Sequence, residues 1–137
     1  MPQRFKNTKQ LVHLPQGIIS VYAQITGPDS IRSMEMVLDT GASLTMVPPE
    51  KIMAIGYKIP VSQDKIVKIF TASGVEYVPV VMIDSLSALG ITVRRIEVLC
   101  HRLSPDSPVE GLLGLNFLSH LPAFAVFFKS IRKSLKN

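Results

Sequence analysis

Residues 36–43 read MVLDTGAS, and this stretch decides how the rest of the sequence is interpreted. An aliphatic run leads straight into Asp39, and Thr40 and Gly41 then turn the chain. Aspartate is a poor strand residue, and an unpaired buried carboxylate is costly. The stretch therefore predicts a strand that ends on a functional carboxylate, with backbone N–H groups and the hydroxyls of Thr40 and Ser43 as possible donors to it.

Composition indicates one small domain rich in β-structure. The chain has 137 residues and is 47% hydrophobic, with no tryptophan, so its apolar content is mostly aliphatic. No apolar run approaches the roughly 18 to 20 residues that span a bilayer, and the N-terminus lacks the apolar stretch of a secretory signal. The single cysteine, Cys100, cannot form an internal disulfide. We therefore expect a cytoplasmic protein without a membrane span.

The basic residues and the histidines indicate neither a nucleic-acid partner nor a metal ligand. The net charge of +5 lies largely at the two ends of the chain, where no aromatic residues interleave with the basic ones. Solvated tails explain this better than a nucleic-acid partner. The three histidines match no zinc spacing, so neither a metal nor a cofactor is expected; they are His13, His101 and His120.

Alternation and turn residues predict a mainly β chain with one or two short helices. A hairpin is expected from 18–26 and 31–38, and a longer one from 65–71 and 75–83, with Pro79 at an edge or a bulge. A helix is expected at 49–56, and Gly114 should join a buried strand to a helical turn. The remaining predicted strands are 44–47, 91–101 and 123–128.

A carboxylate at the end of a strand raises the question of its partner. Two carboxylates about 3 Å apart share one proton, so that one serves as base and the other as acid. This arrangement suits the attack of water on a peptide carbonyl. The chain contains no second Asp-Thr-Gly. If a pair is needed, the second Asp39 must come from another copy across a two-fold axis.

Two sequence elements together resemble the retropepsin-like aspartic proteases. VLDTGAS at 37–43 is similar to the family's aspartate loop, and GLLGLNFL at 111–118 to the strand and short helix that follow much later. The resemblance covers roughly 16–128, and implies a retropepsin-like acid-protease β-barrel that is active as a two-fold dimer. Residues 1–15 would then be a basic N-terminal extension and 129–137 a basic C-terminal tail.

The resemblance also implies a role for each residue of the aspartate loop. Asp39 is the implied catalytic residue, and the hydroxyl of Thr40 would reach the backbone of the partner subunit's loop. Gly41 would let the backbone pass close to the carboxylate and donate its N–H there. Ala42 would lie on the floor that meets the substrate backbone. Ser43 is similar to the residue that bonds the outer carboxylate oxygen.

Two further segments are assigned by the same resemblance. Leu112, Leu113 and Gly114 would form the strand that crosses behind the aspartate loop, with Gly114 small enough to let the chain pass. The hairpin tip would be the flap that closes over bound peptide, and consists of Thr71, Ala72, Ser73, Gly74 and Val75.

The predicted function is an aspartic endopeptidase that cuts extended polypeptides with water activated between the two Asp39 carboxylates of a homodimer. The alternative is a weakly active or inactive dimer of the same fold that serves as a peptide-binding or scaffolding module. At the level of residues, Asp39 could instead cap a turn, and the 71–74 hairpin could be an ordinary one. An aspartyl-phosphate phosphotransferase is disfavoured, because the chain lacks parallel βαβ order and an acid at 40–45.

Overall fold

Strands make up most of the chain that the structure, a computed structural model, describes, namely residues 12–13, 19–59 and 65–122. The two helices, α1 and α2, are short and span Pro49–Ala54 and Leu115–Leu118. The predicted strand at 123–128 lies outside the described residues. The strands are β1 (Val12–His13), β2 (Ile19–Thr26), β3 (Ile31–Leu38), β4 (Thr45–Val47), β5 (Ile66–Thr71), β6 (Gly74–Ala88), β7 (Ile91–Cys100) and β8 (Gly111–Leu113).

The strands form one sheet that closes into a barrel. Their order is β1-β2-β3-β8-β4-β7-β6-β5. An additional pairing of β2 with β6 closes the six strands from β2 to β6 in this order into a ring. Most pairs are antiparallel, whereas β3–β8 and β4–β7 are parallel. The predicted mainly β barrel with two short helices is thus confirmed. Its interior is aliphatic, and the largest fully buried side chains include Phe117, Ile25, Met36, Ile52, Ile55 and Ile83.

The first predicted hairpin is present and shows why the register is fixed. Val21, Ala23 and Ile25 of β2 are buried, while Tyr22 and Gln24 between them are exposed. A shift of one residue would exchange these two sets, so the alternation specifies the pairing with β3. The two residues of β1, which the sequence analysis assigned to the N-terminal extension, pair with Ser20 and Ile19 of β2. The domain limits of 16 and 128 otherwise stay predictions.

Strand β6 is longer than the predicted 75–83 and changes its partner along its length. Pro79 is the last residue that pairs with β5, and Val80 is the first that pairs with β7. Proline has no N–H for the ladder, so its place at this change of partner fits the expected edge position. Within the described ranges, no helix is long and apolar enough to cross a membrane.

Candidate active site

Asp39 stands directly beyond the end of β3, beside β8. The two strands run parallel, with Leu38 opposite Leu113, and the Asp39 N–H donates to the Leu113 carbonyl at 3.0 Å. One more backbone hydrogen bond thus extends the β3–β8 contact to the aspartate itself. The Asp-Thr-Gly turn and the later aliphatic strand, which are far apart in the chain, thus lie side by side.

The turn after Asp39 fixes the direction of its side chain. The Gly41 N–H donates to Oδ1 of Asp39 at 2.8 Å, and the Ala42 N–H donates to the Asp39 carbonyl at 3.2 Å. A Cβ at Gly41 would lie 3.2 Å from the same Oδ1, so a side chain there would crowd the carboxylate. A backbone donor stabilises the ionised carboxylate and holds its orientation. Asp39 itself is half-buried.

Gly114 lies where two backbones touch. A Cβ at this position would come within 2.6 Å of the Leu44 carbonyl carbon and oxygen and 2.9 Å of the Ala42 oxygen. From the start of α2, the Leu115 N–H donates to the Ala42 carbonyl at 2.8 Å, and the Asn116 N–H donates to the Ser43 carbonyl at 3.1 Å. The β8–α2 junction therefore supports the aspartate loop from behind through backbone contacts that need the glycine.

Thr45 and Asn116 form a polar connection that the sequence analysis missed. Oδ1 of Asn116 accepts from the Thr45 N–H at 3.0 Å and from its hydroxyl at 2.9 Å, and the same hydroxyl accepts from the Gly114 N–H at 3.1 Å. The Asn116 amide donates to the Glu97 carbonyl at 2.7 Å. Thr45 is fully buried. The available signal was a pair of polar residues inside two otherwise aliphatic segments.

The hydroxyls of Thr40 and Ser43 make no hydrogen bond to another described part of this chain, and Ser43 is exposed. Asp39 receives its donor from the Gly41 backbone rather than from Ser43. The partner-subunit contact of Thr40 and the carboxylate contact of Ser43 therefore stay predictions.

The predicted flap, residues 71–75, surrounds the two-residue turn between β5 and β6. Thr71 pairs with Gly74, whose φ of 128° suits glycine, and Ala72, Ser73 and Val75 are exposed around it. Residues opposite one another in the ladder share a face. On the lower face of the hairpin, Val67 and Ile69 pack against a buried cluster, and so do Leu44 and Met46 from the segment that leaves the aspartate loop; the cluster consists of Val78, Val80 and Leu99.

The upper face of the same hairpin is apolar and exposed. Phe70 is 78% and Tyr77 is 70% exposed. The Lys68 ammonium lies 5.8 Å from the centre of the Phe70 ring, within the range of a cation–π contact. The hairpin is therefore buried on the lower face only.

Two ion pairs connect the hairpin to β7 and the residue after it. Nε2 of His101 lies 3.3 Å from Oε1 of Glu76, and Nζ of Lys65 lies 3.4 Å from Oε2 of Glu97. Between these contacts, burial raises the pKa of the Cys100 thiol to about 11, although the positive charge of Arg102 opposes the shift. Within the described residues, no group of three or more His, Cys, Asp or Glu could hold a metal ion.

Comparisons with known proteins agree with this geometry. Residues 25–120, which include both Asp39 and Gly114, match the family described as "gag-polyprotein putative aspartyl protease". The chain therefore belongs to this retropepsin-like family. Its fold is similar to that of a retropepsin-like aspartic protease from Rickettsia conorii, with a TM-score of 0.58, 18% identity, and coverage of 80% of this chain and 84% of that one. No curated protein matches the sequence.

Proposed function

We propose that the protein is an aspartic endopeptidase whose single site forms between two copies of the chain. The observation that carries the proposal is the support of Asp39: its carboxylate accepts from Gly41, and its backbone donates to Leu113. A carboxylate held in this way at the end of a strand is available to a second carboxylate. One Asp39 per chain requires that the second come from a partner subunit.

In this mechanism the two Asp39 carboxyls share one proton. The ionised carboxylate takes a proton from a water molecule, and the oxygen of that water attacks the peptide carbonyl carbon. The protonated carboxyl donates its proton to the carbonyl oxygen, and a later proton transfer to the nitrogen lets the amine leave. The Gly41 N–H keeps Oδ1 in place.

The substrate would be an extended polypeptide between the β5–β6 hairpin and the aspartate loop. Backbone hydrogen bonds to an extended peptide give affinity, and pockets for alternate side chains give selectivity. Several partly buried side chains under the hairpin are apolar, among them Leu44, Met46 and Ile69. We therefore expect a preference for apolar side chains next to the cleaved bond.

The decisive experiment compares wild type with Asp39→Asn on a diverse pool of peptides, with sedimentation of both proteins. Asp106→Asn is the matched control, because Asp106 lies in the exposed loop before β8. We expect cleavage by wild type and by the control, none by Asp39→Asn, and dimers in all three. Cleavage by a folded, dimeric Asp39→Asn would disprove the mechanism, and cleavage by a wild type that stays monomeric would disprove the shared site.

A different outcome would favour the binding module. If wild-type dimers bind peptides but cut none of them across acidic and neutral pH, the fold serves recognition rather than hydrolysis. Asp39→Asn should bind the same peptides in either case, so cleavage by wild type is the measurement that separates the two.

A further inference from the structure

An ion pair lies under the β5–β6 hairpin, in addition to its apolar contacts. Glu76 stands opposite Ile69 in the β5–β6 ladder, so the two side chains share the lower face that packs toward the barrel. Oε1 of Glu76 lies 3.3 Å from Nε2 of His101, which follows the last residue of β7. A charged contact therefore joins the hairpin to the barrel two residues from the start of β6.

His101 is itself fixed to the strand that leaves the aspartate loop. Its N–H donates to the Val47 carbonyl at 3.1 Å, at the end of β4. Next to it along the chain, Arg102 pairs with Glu50 of α1 at 2.8 Å, and Cys100 is a buried thiol. Because Arg102 already neutralises Glu50, Glu76 is the carboxylate that remains for the imidazole.

We propose that Glu76 and His101 are positioning residues that hold the hairpin over the Asp39 loop through this contact. The catalytic consequence rests on the proposed function, whereas the position of the hairpin does not. The pair is charged only when the imidazole carries its proton and the carboxylate has lost its own.

The contact is only partly shielded from solvent. The His101 side chain is 30% exposed and the Glu76 side chain 42% exposed, so we expect the contribution of a partly exposed pair rather than that of a buried one.

The first test measures backbone amide exchange in the full chain, with protection corrected for the intrinsic pH dependence of exchange. Glu76→Gln and His101→Gln remove the charge from either side, and Glu50→Gln is the matched control that breaks the adjacent ion pair instead. At mildly acidic pH we expect protection of 66–79 to fall by about 1.5- to fivefold in the first two variants, as for other partly exposed pairs. Protection of β2 and β3 should stay unchanged, and the control should match wild type.

A third variant, His101→Lys, keeps a basic side chain at this position and should protect the hairpin better than His101→Gln does. If peptides are cut, KM should rise in Glu76→Gln and His101→Gln while kcat changes less, because the contact positions the hairpin and does not touch the reacting atoms.

The proposal is overturned if folded Glu76→Gln and His101→Gln both keep wild-type protection of the hairpin. It is also overturned if His101→Lys protects the hairpin no better than His101→Gln does. Absence of any peptide cleavage would instead contradict the endopeptidase, and the exchange measurements would still decide the role of Glu76 and His101.

Discussion

At Gly114 the lack of a side chain allows β8 to pass against the backbone of the aspartate loop. The atoms that a Cβ would meet belong to the main chain of Leu44 and Ala42, so no change of side-chain rotamer can make room for it. The same two residues precede β4 and determine where the loop returns to the barrel. The position of Asp39 therefore depends on the contact of its loop with Gly114, about half the chain length away in the sequence.

The change Gly114→Ala should lower the free energy of unfolding by about 1–3 kcal/mol, the usual cost of a forced backbone shift. It should also move the aspartate loop, so that any peptidase activity falls more than stability does. Denaturant unfolding and cleavage assays measure the two effects. Ser119→Ala, at the exposed end of α2, is the control and should change stability by less than about 0.5 kcal/mol. A fully stable, fully active Gly114→Ala would contradict the close contact.

Asn116 and Thr45 should behave as one unit. Asn116→Ala leaves the buried Thr45 N–H and the Glu97 carbonyl without partners, and we expect a loss of about 2–4 kcal/mol. Thr45→Val removes the hydroxyl from the same network. In a double-mutant cycle by denaturant unfolding, the two changes should differ from additivity by about 0.5–3 kcal/mol. Strict additivity would show that the two side chains act separately.

Tyr57 and Cys100 should make the folding stability of the protein decrease at alkaline pH. Burial, followed by its hydrogen bond to Asp84, raises the pKa of Tyr57 from 10.0 to about 12, and burial raises that of Cys100 from 9.0 to about 11. A raised pKa means that the folded state favours the neutral form. Their contribution to stability is therefore complete below the ordinary values and is lost as the pH rises from about 9 to 12.

Denaturant unfolding at a series of alkaline pH values checks this sign. Wild-type stability should fall steadily above about pH 9, and Tyr57→Phe with Cys100→Ala should fall less steeply, whatever the starting stability of the double variant. The control is Tyr22→Phe, since Tyr22 is 55% exposed on β2. An equal slope in the double variant and wild type would mean that neither group carries the effect.

Among the elements, β6 shows both what could be predicted from the sequence and where prediction stopped. The start of the strand follows from β-branched alternation, but the predicted end at 83 fell short of Ala88. Inward positions run through Val81 and Ile83 and then shift to Leu86, so simple alternation fails at Asp84. The shift coincides with Arg95 on β7, which has a φ of 53° and would lie opposite Asp84, where the ladder omits a pair.

In the candidate site, the local sequence marks Asp39 and Gly114, because a carboxylate after an aliphatic run and a glycine between apolar residues are unusual. Thr45 and Asn116 are polar residues in otherwise aliphatic segments, but their meeting depends on how β4, β8 and α2 pack. Glu76 and His101 likewise meet only in the folded chain. Contacts of this kind need the tertiary structure.

Arg95 gives the element-scale prediction. An L-residue other than glycine is strained at positive φ, so Arg95→Gly should relieve strain and offset the entropic cost of glycine. Arg94→Gly removes the same charge from the adjacent residue, whose φ is not positive, and should only destabilise. We expect Arg95→Gly to be more stable than Arg94→Gly by about 1–2 kcal/mol in denaturant unfolding. Equal losses would argue against strain at Arg95.

For the molecule as a whole, the barrel supplies one supported aspartate and one hairpin. Among the described residues, Asp39 forms its hydrogen bonds with its own turn and β8, and α2 in turn bonds that turn, which makes the carboxylate a fixed part of each subunit. In the proposed mechanism, two such fixed carboxylates meet across a two-fold axis. The rate should therefore depend on how many dimers contain two intact aspartates, and not on how many subunits do.

Mixing of subunits tests this dependence directly. Wild type and Asp39→Asn are combined in equal amounts, unfolded, and refolded together at constant total protein. If both aspartates of a dimer are needed, random pairing leaves about a quarter of the dimers active, so the mixture should cut peptides at about a quarter of the rate of the same amount of wild type. A site complete within each subunit would give about half. Asp106→Asn in place of Asp39→Asn should leave the full rate.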